Sequence, residues 1–135
     1  MSYNIEPIGF VQSSIKHREG AAKQGYEGAP DAWLVLNDNI APAIQGTLPG
    51  DEIILITWFH QSKRDVLIVH PRGDKNNPLT GVFATRSPDR PNPLGLHRVT
   101  VLAINGTSLK VGPLEAIDGT PIVDIKPVLQ KSEDA

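Results

Sequence analysis

The residues able to do chemistry in this chain fall in three short stretches: Trp58-Phe59-His60-Gln61, Thr85 to Gly95, and Leu114 to Pro127. His60 and Gln61 follow the apolar run IILITWF, which puts them at a strand end, where polar groups meet a ligand while the core stays closed. Histidine exchanges a proton near neutral pH, so His60 is a candidate base; a core-edge histidine with a local hydrogen bond is the competing reading. The stretch TRSPDRPNPLG carries Pro88, Pro91 and Pro93, each fixing φ and pushing the residue before it toward extended geometry. A loop stiffened in this way loses little entropy on binding. It presents Arg86 and Arg90, whose planar donors suit carboxylate or phosphate, and Asn92, which is both acceptor and donor. In the third stretch Asp118-Gly119 signals a turn, where the Asp118 side chain serves backbone hydrogen bonds. Asp124 and Lys126 share one face of a short strand by alternation. They form either a second candidate base beside a cation that keeps it ionised, or a weak surface ion pair.

Other chemistries find no support. The chain has no cysteine, which excludes disulfides, a thiol nucleophile and cysteine-based metal sites. His17, His60, His70 and His97 show no paired metal-ligand spacing, so no metal is expected. There is no G-x-S-x-G, no G-x-G-x-x-G and no phosphate-cradling loop.

The elements that must position these residues read as strands. Twelve Gly and twelve Pro are spread along 135 residues, leaving few windows for a long helix. Asp51 to His70 holds the runs IILITWF and VLIV, rich in β-branched and aromatic residues, and reads as two buried strands. Further strands are expected at Ile5–Val11, Ala32–Leu36, Gly81–Thr85, Arg98–Ile104, Thr107–Val111 and Ile122–Ile125. Asn105-Gly106 between apolar runs marks a hairpin. Gly112–Thr120 reads as a loop. Short strands with frequent turns and no βαβ rhythm point to a mainly all-β fold, an antiparallel barrel or sandwich. Residues 1–127 form one domain on this reading, followed by a polar tail, 128–135, whose end (QKSEDA) is expected to fray.

Composition is that of a soluble globular chain, with 39% hydrophobic and 21% charged residues. No apolar run is long enough to span a membrane, and MSYNIEPIGF lacks a signal-peptide pattern; a cytoplasmic protein is expected. The formal net charge is −2, yet residues 60–98 hold seven Lys/Arg against three Asp, and the remainder six against twelve acidic residues. One basic face on an acidic body would follow, unless exposed loops simply carry charge.

Taken together, GVFATRSPDRPNPLGL (81–96) and LEAIDGTPIVDIKP (114–127) closely resemble the TsaA/TrmO (YaeB-like) family, with support at Pro7-Ile8-Gly9 and Trp58 to Gln61. The family consists of β-barrel, S-adenosylmethionine-dependent tRNA methyltransferases. The resemblance therefore implies a small antiparallel barrel of short strands with long Pro/Gly-rich loops, S-adenosyl-L-methionine as cofactor, tRNA as partner and a homodimer. It implies cofactor contacts from Gln24, Gly25, His60, Gln61, Arg86, Ser87, Pro88, Arg98, Leu114, Glu115, Ala116, Ile117 and Asp118. Substrate contacts fall to Arg90, Asn92 and Lys126, and His60 and Asp124 are the candidate catalytic groups. The reaction implied is methylation of the exocyclic nitrogen of threonylcarbamoyladenosine beside the anticodon. Ala22-Lys23-Gln24 departs from the family's Pro-Arg-Gln, so only Gln24 carries over directly there. The sequence also stops soon after Pro127, without the aromatic continuation of that strand or the C-terminal domain of the family's longer members. Two rivals stay open: a small-molecule methyltransferase on the same barrel, and a non-catalytic module that binds the cofactor or RNA.

Overall fold

The computed structural model describes residues 1–17 and 28–129. Eight strands occur among them: β1 (Gly9–Gln12), β2 (Ala32–Leu36), β3 (Glu52–Trp58), β4 (Ile68–Val69), β5 (Thr80–Gly81), β6 (Leu94–Asn105), β7 (Ser108–Gly112) and β8 (Pro121–Pro127). Six of them close into an antiparallel barrel in the order β1-β2-β7-β6-β3-β8, while β4 and β5 pair as a separate two-stranded ribbon.

Alternation builds the interior. In β3, Ile53, Leu55 and Thr57 point inward and are buried, with Glu52, Ile54, Ile56 and Trp58 on the outer wall. Val11, Leu34, Leu36, Val99, Val101, Leu109, Val111 and Ile122 complete the core from the other strands. Each such side chain contributes about 1.5–3 kcal/mol through loss of apolar surface from water. Two register shifts, between Ile56 and Thr57 on β3 against β8 and between Val101 and Ala103 on β6, supply the extra bend that a six-stranded closure needs. At one end, Ile40 and Ile44 of the 3₁₀ segment Asp38–Ile44 pack against the core.

The antiparallel order fixes where the connections lie. β1, β3 and β7 run one way and β2, β6 and β8 the other. The connections β1–β2, β3–β6 and β7–β8 therefore all open at the same mouth of the barrel.

The expected Ala32–Leu36 strand is found with those bounds, and Asn105 pairs with Ser108 across a two-residue hairpin loop. There the left-handed residue is Gly106, φ 62°, at the first central position, so the turn sits one residue later than an Asn-Gly pair implies. Other strands differ. Ile5–Val11 shortens to Gly9–Gln12 and Arg98–Ile104 extends back to Leu94. VLIV forms only Ile68–Val69, with Leu67 and Ile68 exposed at 63% and 61%. Gly81–Thr85 is a strand only at Gly81, followed by a 3₁₀ turn over Val82–Ala84. Both runs lie on the ribbon outside the barrel, so β-prone composition there meets no core to bury it.

Candidate functional site

The long connection between β3 and β6 carries the first two stretches. His60 and Gln61 sit in a turn closed by the Ser62 amide on the Phe59 carbonyl, 3.0 Å, and both are exposed. Neither makes a side-chain hydrogen bond among the described residues.

The proline-rich loop is held by its own polar groups. The Arg90 guanidinium donates to the carbonyls of Val82 (2.9 Å), Ser87 (3.1 Å) and Thr85 (3.2 Å). The Ser87 amide donates to Thr85 Oγ1 at 3.1 Å. Two bonds tie the loop to the segment after His60: Arg90 N to the Lys63 carbonyl, 3.1 Å, and Lys63 N to Asp89 Oδ1, 2.9 Å. Arg64 adds a third fastening, with Nε on the Pro91 carbonyl at 2.6 Å and Nη2 on Asn92 Oδ1 at 2.8 Å. Its guanidinium carbon lies 5.2 Å from the Trp58 ring centroid. Arg90 is thus spent on the loop itself. Arg86 is exposed and bonds to nothing among the described residues.

Beneath the loop, Phe59 N bonds the carbonyl of the fully buried Pro93 at 2.8 Å. His97 points into the barrel with Nε2 2.8 Å from the Thr57 hydroxyl and its ring edge-on to Phe59, centroids 5.7 Å apart. Enclosure without a charged partner pushes its pKa down to about 4, so the imidazole is neutral at pH 7. A Cβ on Gly95 would overlap Phe59, Thr57 Oγ1 and His97 Nε2. The glycine of the Asn-Pro-Leu-Gly stretch is a packing requirement.

The β7–β8 connection is fastened to β1–β2. Asp118 Oδ1 accepts from Ser13 N at 2.9 Å and Oδ2 lies 3.1 Å from Lys16 Nζ. The Ser13 amide, and then Lys16, hold the Asp118 carboxyl below its ordinary range. Asp118 N bonds the Ile15 carbonyl at 2.7 Å and Leu114 N the Pro30 carbonyl at 2.9 Å. Leu114 and Ala116 point into the core, exposed by 1% and 3%, so the half-exposed side chains of this segment are those of Glu115, Ile117 and Asp118.

The predicted residues therefore divide. His60, Gln61, Arg86, Ser87, Pro88, Arg90 and Asn92 lie on one connection, between β3 and β6, and Leu114 to Asp118 lie on a second at the same mouth. Gln24 and Gly25 lie outside the described residues. Arg98 is placed on the outer wall of β6, opposite Ile54, with Nε 2.9 Å from Glu52 Oε2. It stands four residues from the mouth, about 13 Å along the strand. Asp124 faces outward opposite Ile56, with Oδ1 taking the Ile125 amide at 2.8 Å and Oδ2 3.4 Å from Lys126 Nζ. No hydrogen bond joins it to His60. A shallow groove of about 280 Å³, lined by Gln12, Trp33, Asn105 and Ser108, lies on the opposite wall and holds none of these groups. Sequence reasoning missed Arg64 and His97, because a single arginine or histidine carries no spacing signal. No group of three or more metal-binding side chains occurs among the described residues, and no described helix is long and apolar enough to cross a membrane.

Fold and site together define a closed six-stranded antiparallel barrel with one mouth built from three loop connections that carry the candidate residues. The chain belongs to the tRNA-methyltransferase O N-terminal domain family, whose model matches residues 10–134. It is 51% identical over 129 residues to a probable S-adenosyl-L-methionine-binding protein of Pyrococcus horikoshii, covering 93% of this chain and 82% of that one. A similarly described protein of Methanocaldococcus jannaschii is 40% identical over 130 residues, covering 92% and 90%. Among solved structures, TrmO superposes with a TM-score of 0.79 at 28% identity and TrmO from Pseudomonas aeruginosa with 0.77 at 25%. The whole chain is covered in both, but it spans only 61% and 60% of those two chains.

Proposed function

We propose that the mouth binds S-adenosyl-L-methionine and that the chain is a methyltransferase acting on tRNA, with N6 of threonylcarbamoyladenosine beside the anticodon as the methyl acceptor. What supports this reading is that one connection at the mouth carries polar side chains with no hydrogen-bond partner among the described residues: the His60 ring, the Gln61 amide, the Arg86 guanidinium and the Asn92 Nδ2. Such a set fits a zwitterionic amino-acid nucleoside, which offers a carboxylate, hydroxyls and ring nitrogens as acceptors.

The cofactor supplies a methyl group on a sulfonium, a good leaving group. In the proposed transfer the S–CH₃ bond would break as N–CH₃ forms, leaving S-adenosylhomocysteine and the N6 proton. The chain's part is mainly orientation, which carries much of the barrier when nucleophile and methyl are held in line. Arg86 takes an anionic group, the cofactor carboxylate or an RNA phosphate. The Arg90 brace holds the loop that presents it, so Arg90 acts through the loop rather than on substrate. His60 is the better placed proton acceptor, since Asp124 is committed to the Ile125 amide and Lys126. The family resemblance supports assembly as a homodimer and a cytoplasmic location.

Calorimetry with S-adenosylmethionine, followed by methyl transfer to total tRNA and nucleoside analysis, tests the reading. Binding with label in a threonylcarbamoyladenosine derivative supports it. Transfer only to a metabolite extract points to a small-molecule enzyme, and binding without turnover to a sensing module. No heat at millimolar cofactor overturns it.

A further inference from the structure

We infer that Arg64 is a positioning residue that joins the His60 segment and the proline-rich loop into one rigid unit and fixes Asn92 as a hydrogen-bond donor toward the ligand. The inference rests on the methyltransferase reading for its ligand, but its geometry stands alone. Arg64 lies four residues beyond His60, where the chain has left β3 and before the ribbon begins. Its planar fork reaches two successive residues of the loop, the Pro91 carbonyl at 2.6 Å and Asn92 Oδ1 at 2.8 Å. The other side of the guanidinium is held over Trp58, at 5.2 Å, within cation–π range. A proline carbonyl is a natural anchor, since Pro91 fixes its own φ and the fork then sets the orientation of the peptide that follows.

The consequence for Asn92 is chemical. An asparagine amide has an acceptor end and a donor end, and a guanidinium only donates. With Oδ1 taken by Arg64, the Nδ2 group is the free end. Asn92 is exposed and its Nδ2 donates to nothing among the described residues. The group it meets on a ligand must therefore be an acceptor, a carbonyl, ring nitrogen or phosphate oxygen. A lysine at 64 would keep the charge and lose the fork; it reaches one acceptor at a time.

Arg64→Ala, Arg64→Lys and Asn92→Asp, compared with the wild type, test this. Hydrogen exchange is read over residues 86–93 in the free proteins, and kcat and KM are read for methyl transfer to total tRNA. Both Arg64 variants should exchange faster across the loop, and lysine should not rescue. Each should lose about tenfold or more in kcat/KM with the barrel strands still protected. Asn92→Asp keeps an acceptor for Arg64, so its loop should stay protected while transfer falls by a similar factor, because the donor is gone. Wild-type exchange in Arg64→Ala, full rescue by Arg64→Lys, or wild-type transfer by Asn92→Asp each overturns the inference. The exchange arm needs neither cofactor nor tRNA, so a wild type that proves inactive defeats the methyltransferase reading while Arg64 is still judged. If Arg64→Ala fails to fold, Arg64→Lys carries the same comparison.

Discussion

Two histidines in this chain show how environment divides one side-chain type. His97 is enclosed, bonded to the Thr57 hydroxyl and shifted down to about 4 from an ordinary 6.5. The unfolded chain takes up a proton near 6.5 and the folded chain only near 4. Stability owed to neutral His97 is thus complete above pH 6.5, is lost as pH falls from 6.5 to about 4, and levels off below. The loss should reach on the order of 3 kcal/mol. Urea denaturation at pH 7 and pH 4.5 should show this slope in the wild type and a much smaller one in His97→Gln, whose amide still reaches Thr57 and takes no proton. Equal slopes in both would place the acid sensitivity elsewhere. His60 is instead exposed at the mouth, with no side-chain hydrogen bond among the described residues. His60→Ala should lower kcat about a hundredfold, as loss of a general base does. Asp124→Asn should keep the wild-type rate, because its carboxylate already serves Ile125 N and Lys126. If both variants retain the wild-type rate, proton removal belongs to water.

At the scale of elements, the connection between β3 and β6 holds most of the chemistry, and its arginines do different work. Arg90→Ala removes three charge-assisted bonds to half-buried carbonyls and should cost roughly 2 kcal/mol in denaturant unfolding. Arg86→Ala removes none and should stay within about 0.5 kcal/mol of wild type. If Arg86 meets RNA phosphate, its removal should reduce the salt slope of tRNA binding by about one; if it meets the cofactor, the slope stays and cofactor affinity falls. Unchanged stability in Arg90→Ala would refute the brace. The sequence made the loop legible because three prolines and two arginines in one short run are unusual, but it could not apportion the arginines. That division depends on which carbonyls the folded loop turns inward. In the same way the family resemblance marks Leu114 to Asp118 as a segment without telling which side chains face a ligand; Leu114 and Ala116 turn out to be core. Strands were legible where an apolar run rich in β-branched and aromatic residues meets a core, as in Ala32–Leu36 and Glu52–Trp58. They were misread where apolar residues sit on the ribbon, since periodicity reports a preference and not the presence of a surface to pack on.

For the molecule as a whole, the barrel closes at a narrow seam. β1 meets β8 in only two register pairs, Gly9 with Ile122 and Phe10 with Pro121, whereas β3 and β6 share seven. The seam is reinforced from the mouth, where Gly119 N bonds the Val11 carbonyl at 2.7 Å and Val11 N the Thr120 carbonyl at 2.9 Å, with the Asp118–Ser13 bond just beyond. The same residues that close the barrel therefore lie on one of the connections at the candidate mouth. Gly9 is the position where this closure has least room: a Cβ there would overlap the Val35 carbonyl oxygen and Leu36 Cα, both backbone atoms that no rotamer change can move. Gly9→Ala must push β1 away from β2, and with four residues in the strand the displacement reaches the β8 pairs. The expected cost is about 3 kcal/mol, at the upper end for overpacking. Amides of β1 and its partners on β8 should be the fastest to exchange among the six barrel strands in the wild type and faster again in Gly9→Ala, while β3 and β6 stay protected. Saturating S-adenosylmethionine at about a hundred times its Kd should return roughly 2.7 kcal/mol to either protein by mass action, and should slow exchange at the seam before it slows any other strand. A Gly9→Ala protein with wild-type stability and an unchanged exchange pattern would show that β1 has room to shift, and that closure at this seam does not limit the fold.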